Sequence, residues 1–121
     1  MKKSQVLIAA GVILFLIFTN SCEKVVFEPI EIELPDTISY SLEIQPIFDD
    51  NCISCHGGSI NPELNADVSY SNLFEGGYID TVNAEGSELI EKLYEGAHDS
   101  RASLTEKQLI LEWIKNGAPD N

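Results

Sequence analysis

The chain has 121 residues, enough for one domain, and carries 20 acidic against 7 basic residues for a net charge of −13. A charge of this sign and size argues against nucleic acid or anionic lipid head groups as partners. It fits a cationic protein partner or a solvated, self-repelling surface.

The chain opens with Lys2 and Lys3, followed by an apolar run from Val6 to Phe18. That run is short of the ~20 residues that span a bilayer as a helix. A basic start, a short apolar run and a small-residue exit predict a secretory signal peptide over residues 1–21; a membrane-anchoring helix is the alternative. Ser21 immediately before Cys22 resembles the lipobox of bacterial lipoproteins. The resemblance implies cleavage before Cys22 and a diacylglycerol on its thiol. The other reading is an ordinary cleavage that leaves Cys22 free. A lipid at Cys22 would hold the protein to a membrane facing the periplasm, with the inner membrane, the outer membrane and the cell surface all open. Residues 22–121 keep five basic residues (Lys24, Lys92, Arg101, Lys107 and Lys115) against all 20 acidic ones.

Residues 22–39 are acidic and broken by Pro29 and Pro35, and read as an extended tether. Ile30, Ile32 and Leu34 alternate with glutamates there, the pattern of a short edge strand. The domain is expected over residues 40–121. Leu42, Ile44, Ile47 and Phe48 share a helical face, with the regular helix starting near Pro46. Residues 57–66 read as a loop. Residues 67–75 predict a short helix stopped by Gly76 and Gly77. A further helix is expected over 87–95, with Ser87 as N-cap, Gly96 as stop, and Leu89, Ile90, Leu93 and Tyr94 as its apolar face. The last helix pairs Thr105 as N-cap with Gln108, a capping-box spacing. It buries Leu109, Ile110, Trp113 and Ile114, and ends at Gly117 with Pro119 beyond. The class is all-α, with about four short helices and long loops that in so small a domain usually wrap something.

Between the first helix and the first loop lies NCISCHGGS, residues 51–59. Cys52, Cys55 and His56 fit three chemistries. A redox dithiol wants its two cysteines at a helix N-terminus beside a parallel sheet, and no strand pattern supplies one. Structural zinc wants four ligands; Cys52, Cys55, His56 and His98 make such a set on paper, but Cys55 and His56 are adjacent and cannot easily both reach one tetrahedron. Covalent haem attachment uses every residue of the motif. Two thiols add across the two vinyl groups, and the adjacent histidine gives its imidazole to the iron.

IFDDNCISCHGG resembles the attachment region of mono-haem class I c-type cytochromes. DVSYSNLFEGG, GSELIEKLY and LTEKQLILEWIKNGAP are similar to the remaining elements of a compact bacterial subfamily that ends in a WIxxGA helix. The likeness covers residues 40–119. It implies a helical fold wrapped around one haem c, held covalently through Cys52 and Cys55, with His56 on the iron. It also implies that the first and last helices cross, for which Phe48 and Trp113 are the candidates.

Members of the family complete the iron with a methionine shortly before the last helix. This chain has a single methionine, Met1, which leaves with the signal peptide. Six residues before Leu104 stands His98. The expectation is that His98 takes the methionine's place and the iron is bound by two histidines; the alternative is an ordinary loop histidine with the sixth position open. Lys92 and Tyr94 are weaker substitutes, and Arg101 is a candidate for a haem propionate or simply a solvent-facing side chain. A bis-histidine centre forgoes the thioether that raises the potential. The expected function is thus lower-potential electron transfer with redox partner proteins that carry a basic docking patch, and no enzymatic turnover. The rival readings are a gas sensor or peroxide-reducing enzyme with an open iron position, and a structural role with haem as a staple.

Overall fold

Helices make up the regular structure of residues 33–121, the part of the chain that the computed structural model describes. The signal peptide, Cys22 and most of the alternating stretch 30–34 lie outside the described residues; Glu33 and Leu34 belong to no strand. A π-helical turn, Tyr40–Ile44, leads into α1, Gln45–Asn51. Then follow α2 (Ile53–His56), α3 (Ser69–Glu75), α4 (Glu88–Leu93) and α5 (Leu104–Lys115). The all-α class is as expected. The fifth helix arises because the CxxCH stretch forms its own short turn instead of leaving α1 as loop.

Pro46 shapes the entry. It sits in the first turn of α1, where its missing N–H is no loss. Its ring crowds the carbonyl of residue 42, and the preceding turn widens. The Gln45 N–H accordingly donates to Tyr40 O, five residues back. The widened turn brings Tyr40 inside. Its ring lies 5.1 Å from that of Trp113, which is itself fully buried on α5. The first and last helical segments thus meet through Tyr40 and Trp113. Phe48 is buried but makes no ring pair with Trp113; it lies about two turns beyond Tyr40, in α1. Ile44, Phe48, Leu73, Ile110 and Ile114 complete the innermost core.

The last helix is terminated by glycine. At the end of α5, Gly117 has φ +89°, the left-handed region that a side chain resists. Its N–H donates to Ile114 O, and that of Ala118 donates to Trp113 O, a Schellman closure that turns the chain back over the helix. Trp113 Nε1 then donates to Pro119 O, and Tyr70 Oη donates to Ala118 O. Asn121 accepts at its backbone carbonyl from the Ser41 N–H, while its side-chain Oδ1 accepts from the Tyr40 N–H. The C-terminal strap is thereby laced to the first turn of the domain.

The start of α5 differs from the sequence expectation. Ser103, not Thr105, is the N-cap, and its box partner is Glu106, not Gln108. Both spacings exist in SLTEKQ. The glutamate wins because its negative charge also suits the positive end of the helix. Ser87 does occupy the N-cap position of α4, but its Oγ bridges to the Asp80 backbone instead of to α4. That helix ends at Leu93, short of the expected residue 95.

A chain of buried polar groups crosses the core. Tyr40 Oη donates to Ser69 Oγ at 2.6 Å, Ser69 Oγ donates to Gln45 Oε1, and Gln45 Nε2 donates to Leu64 O and Asp49 Oδ1. Burial is the main cause that pushes the Tyr40 phenol up to about 12 from its ordinary 10. The folded state therefore holds this proton more tightly than the unfolded chain. Its contribution is whole below pH 10 and is lost as the pH climbs toward 12, at up to ~1.4 kcal/mol per pH unit. Denaturant titrations at pH 9 and 11 are expected to show this loss, and Tyr40→Phe is expected to flatten it while costing about 1 kcal/mol at neutral pH. An unchanged alkaline slope in Tyr40→Phe would mean that another group sets it.

Candidate haem-attachment site

Cys52, Cys55 and His56 occupy one turn. The Cys52 N–H donates to Phe48 O, which carries the path of α1 into α2, and Cys52 O accepts from the N–H groups of both Cys55 and His56. Both cysteines are free thiols, Cys52 half-buried and Cys55 exposed. Burial, with a smaller push from Glu106 and an opposing pull from Arg101, raises the Cys52 thiol to about 11. A redox dithiol needs the opposite, a thiolate stabilised at a free helix N-terminus. Here the turn that carries both cysteines follows straight on from α1, with the Cys52 N–H donated to Phe48 O.

His56 is oriented from the loop that follows. Its Nδ1 lies 2.9 Å from Pro62 O. A carbonyl only accepts, so Nδ1 is the donor, which leaves Nε2 as the nitrogen that a neutral ring would offer to a metal. The loop is pinned at several points. Leu64 N–H donates to His56 O, Asn72 Nδ2 donates to Glu63 O, and Gln45 Nε2 reaches Leu64 O through the buried polar chain. Gly57 permits the sharp departure from α2, since a Cβ there would stand 2.7 Å from Ile53 O.

His98 lies far away in sequence but comes to the same place. It ends a 3-10 turn, Gly96–His98, and its ring centre is 6.3 Å from that of His56, with the planes at 43°. Two imidazoles on opposite sides of one metal ion, each with a metal–nitrogen bond of ~2 Å and a nitrogen ~1 Å from its ring centre, have centres about 6 Å apart. The pair is therefore spaced as two imidazoles that would hold one metal ion between them. The donor set also fits: two neutral-type nitrogen donors for the metal and two thiols on the adjoining turn for the porphyrin edge. Among the described residues, no three His, Cys, Asp or Glu side chains gather as a metal-ion cluster, so the four-ligand zinc arrangement is not assembled.

The weaker ligand candidates are engaged elsewhere. Lys92 pairs with Glu95 at 2.8 Å, and Tyr94 lies under the Lys107 ammonium, 4.6 Å from ring centre to Nζ. Arg101 is exposed. Lys107 itself is the residue that sequence reasoning passed over. It is 2 % exposed, and Nζ donates to Asp99 Oδ1 at 2.6 Å and to Asp99 O at 2.7 Å. The signal was available, because Lys107 stands three and seven residues before Ile110 and Ile114, on the buried stripe of α5.

A second tie joins the cysteine turn to α5. Asn51 Nδ2 donates to Glu106 Oε1 at 3.1 Å. The Ser103 backbone N–H is the leading cause that holds the Glu106 carboxyl below its usual range. The cap of α5 is thus also a fixing point for the end of α1, directly before Cys52.

Comparison of the chain with protein-family models, with curated proteins and with solved structures returned no match.

Proposed function

We propose that the domain is a mono-haem c-type cytochrome that carries electrons, with haem c attached through Cys52 and Cys55 and its iron bound by His56 and His98. The observation that carries the reading is the pair of imidazoles with ring centres 6.3 Å apart, beside two free thiols on the adjoining helical turn. Bound haem supplies a one-electron couple. The protein's part is to hold both axial nitrogens. His56 is set by the Pro62 carbonyl, and the loop that carries Pro62 is laced into the core through Gln45 and Leu64. Ligands held on both sides in both oxidation states leave little to reorganise when an electron moves, which suits a carrier better than a site for bond chemistry.

The proposal extends to the ends of the chain. Export by the signal peptide agrees with haem attachment outside the cytoplasm, and a lipid on Cys22 would place the domain at a membrane surface. The surplus of acidic over basic residues favours redox partners with a basic docking patch. The exposure of His98 favours a second reading, in which that histidine yields and the iron binds a small gas or reduces peroxide.

Carbon monoxide separates the two. The reduced, haem-loaded protein is expected to keep its absorption spectrum on exposure to the gas, and to show one reversible one-electron wave in voltammetry. A prompt shift to a carbonyl spectrum would remove the bis-histidine assignment and put the gas-binding or peroxide reading first. His98→Met is expected to raise the midpoint potential, since a thioether favours the reduced iron.

A further inference from the structure

Lys107 occupies a position that packing alone would give to an apolar residue. It lies on the same stripe as Ile110 and Ile114, and it is 2 % exposed. A buried ammonium costs several kcal/mol unless it is fully paired. Here it is paired, and all its partners belong to one short stretch. Nζ holds the Asp99 carboxylate and the Asp99 carbonyl, and it sits over the Tyr94 ring. Tyr94 and Asp99 bracket the 3-10 turn that ends in His98.

The other ties of this stretch are local. His98 N–H donates to Glu95 O, Arg101 N–H donates to His98 O, and Lys92 pairs with Glu95. These shape the turn and tie it back to α4, from which it leads, without attaching it to α5. Among the described residues, the side-chain hydrogen bonds that join residues 94–101 to α5 are those of Lys107. The ring of His98 is itself exposed, so its place near His56 depends on where the backbone of the turn is held.

We infer that Lys107 is the positioning residue for the sixth iron ligand: its ammonium clamps the turn at both ends and sets how firmly His98 fills that position. The inference rests on the haem reading above. It assigns Lys107 no contact with the iron.

The test is carbon monoxide association with the reduced, haem-loaded protein in a set of variants. His98→Ala is expected to open the site completely and gives the reference. Lys107→Met keeps volume and burial but removes the charge and both hydrogen bonds. It is expected to raise the association rate by about tenfold or more, the usual scale for losing an outer partner of a metal ligand. Asp99→Ala changes an exposed side chain, leaves the carbonyl in place, and is expected to move the rate in the same direction by less. It also serves if Lys107→Met does not accumulate. A lowered Tm in Lys107→Met with unchanged carbon monoxide binding would assign Lys107 to packing alone and overturn the inference, as would an unchanged rate in Asp99→Ala where only that variant is obtained. An unchanged spectrum and rate in His98→Ala would instead overturn bis-histidine ligation itself, and the inference with it.

Discussion

Replacement of both Cys52 and Cys55 by serine is expected to abolish covalent haem retention, while each single replacement leaves one thioether and a stained band on a denaturing gel. The two thiols lie on one helical turn, with Cys52 O accepting from the Cys55 N–H at 3.1 Å. Each thiol would add across a vinyl group, its sulfur bonding to one carbon and its proton going to the other. No oxidant is needed, and no disulfide has to be broken, since both cysteines are free. Loss of the covalent link should also lower stability. A ligand bound only to the folded state stabilises it according to its occupancy, and a tethered haem cannot leave. The measurement is haem extraction into acidified organic solvent. Wild-type protein should keep the pigment in the protein pellet, and the double variant should release any it has bound. Wild-type protein that acquires no haem in a host competent for attachment would refute the haem reading. The redox-dithiol alternative would still face the Cys52 thiol at about 11, which leaves only about one molecule in ten thousand as thiolate at pH 7.

The local parts of this site were readable because they are contiguous. Cys52, Cys55 and His56 lie within five residues, and a single helical turn gathers them without help from the fold. The long-range part rested on a count from Leu104 back to His98, and the structure brings the His98 ring centre to 6.3 Å from that of His56. The helices over 69–75 and 104–115 were legible from apolar spacing and from Gly76, Gly77 and Gly117 as stops. What escaped depended on competition between neighbours. Ser103 and Thr105 each have a partner three residues on, and only the charge of Glu106 decides between them. The π-helical turn before Pro46 follows from a clash that no periodicity reveals, and it substitutes Tyr40 for Phe48 as the partner of Trp113. Lys107 was hidden by its chemistry: a lysine reads as surface until its register on α5 is compared with that of Ile110.

The second large effect is expected at Trp113. Its side chain is wholly buried, packs against Tyr40 at 5.1 Å and Tyr70 at 6.4 Å between ring centres, and donates from Nε1 to Pro119 O. Trp113→Ala removes all of this and leaves a cavity that the surrounding rings cannot close. The expected cost is about 3–5 kcal/mol. A domain of this size has roughly 5–15 kcal/mol in all, so the variant should sit near the edge of folding. Denaturant titration and a thermal midpoint lowered by about 20 °C are the measurements. Trp113→Phe keeps most of the volume and loses the bond to Pro119, and is expected to cost about 1–2 kcal/mol. A loss below ~1 kcal/mol in Trp113→Ala would show that the C-terminal strap holds without its central ring. The prediction also divides α5 into two jobs. Trp113, near the C-terminal end, closes the core and the strap; Lys107, near the N-terminal end, holds the turn of His98. In the fraction that folds, Trp113→Ala should therefore keep the wild-type response to carbon monoxide while losing stability. Lys107→Met should do the reverse, with carbon monoxide binding changed more than the fold.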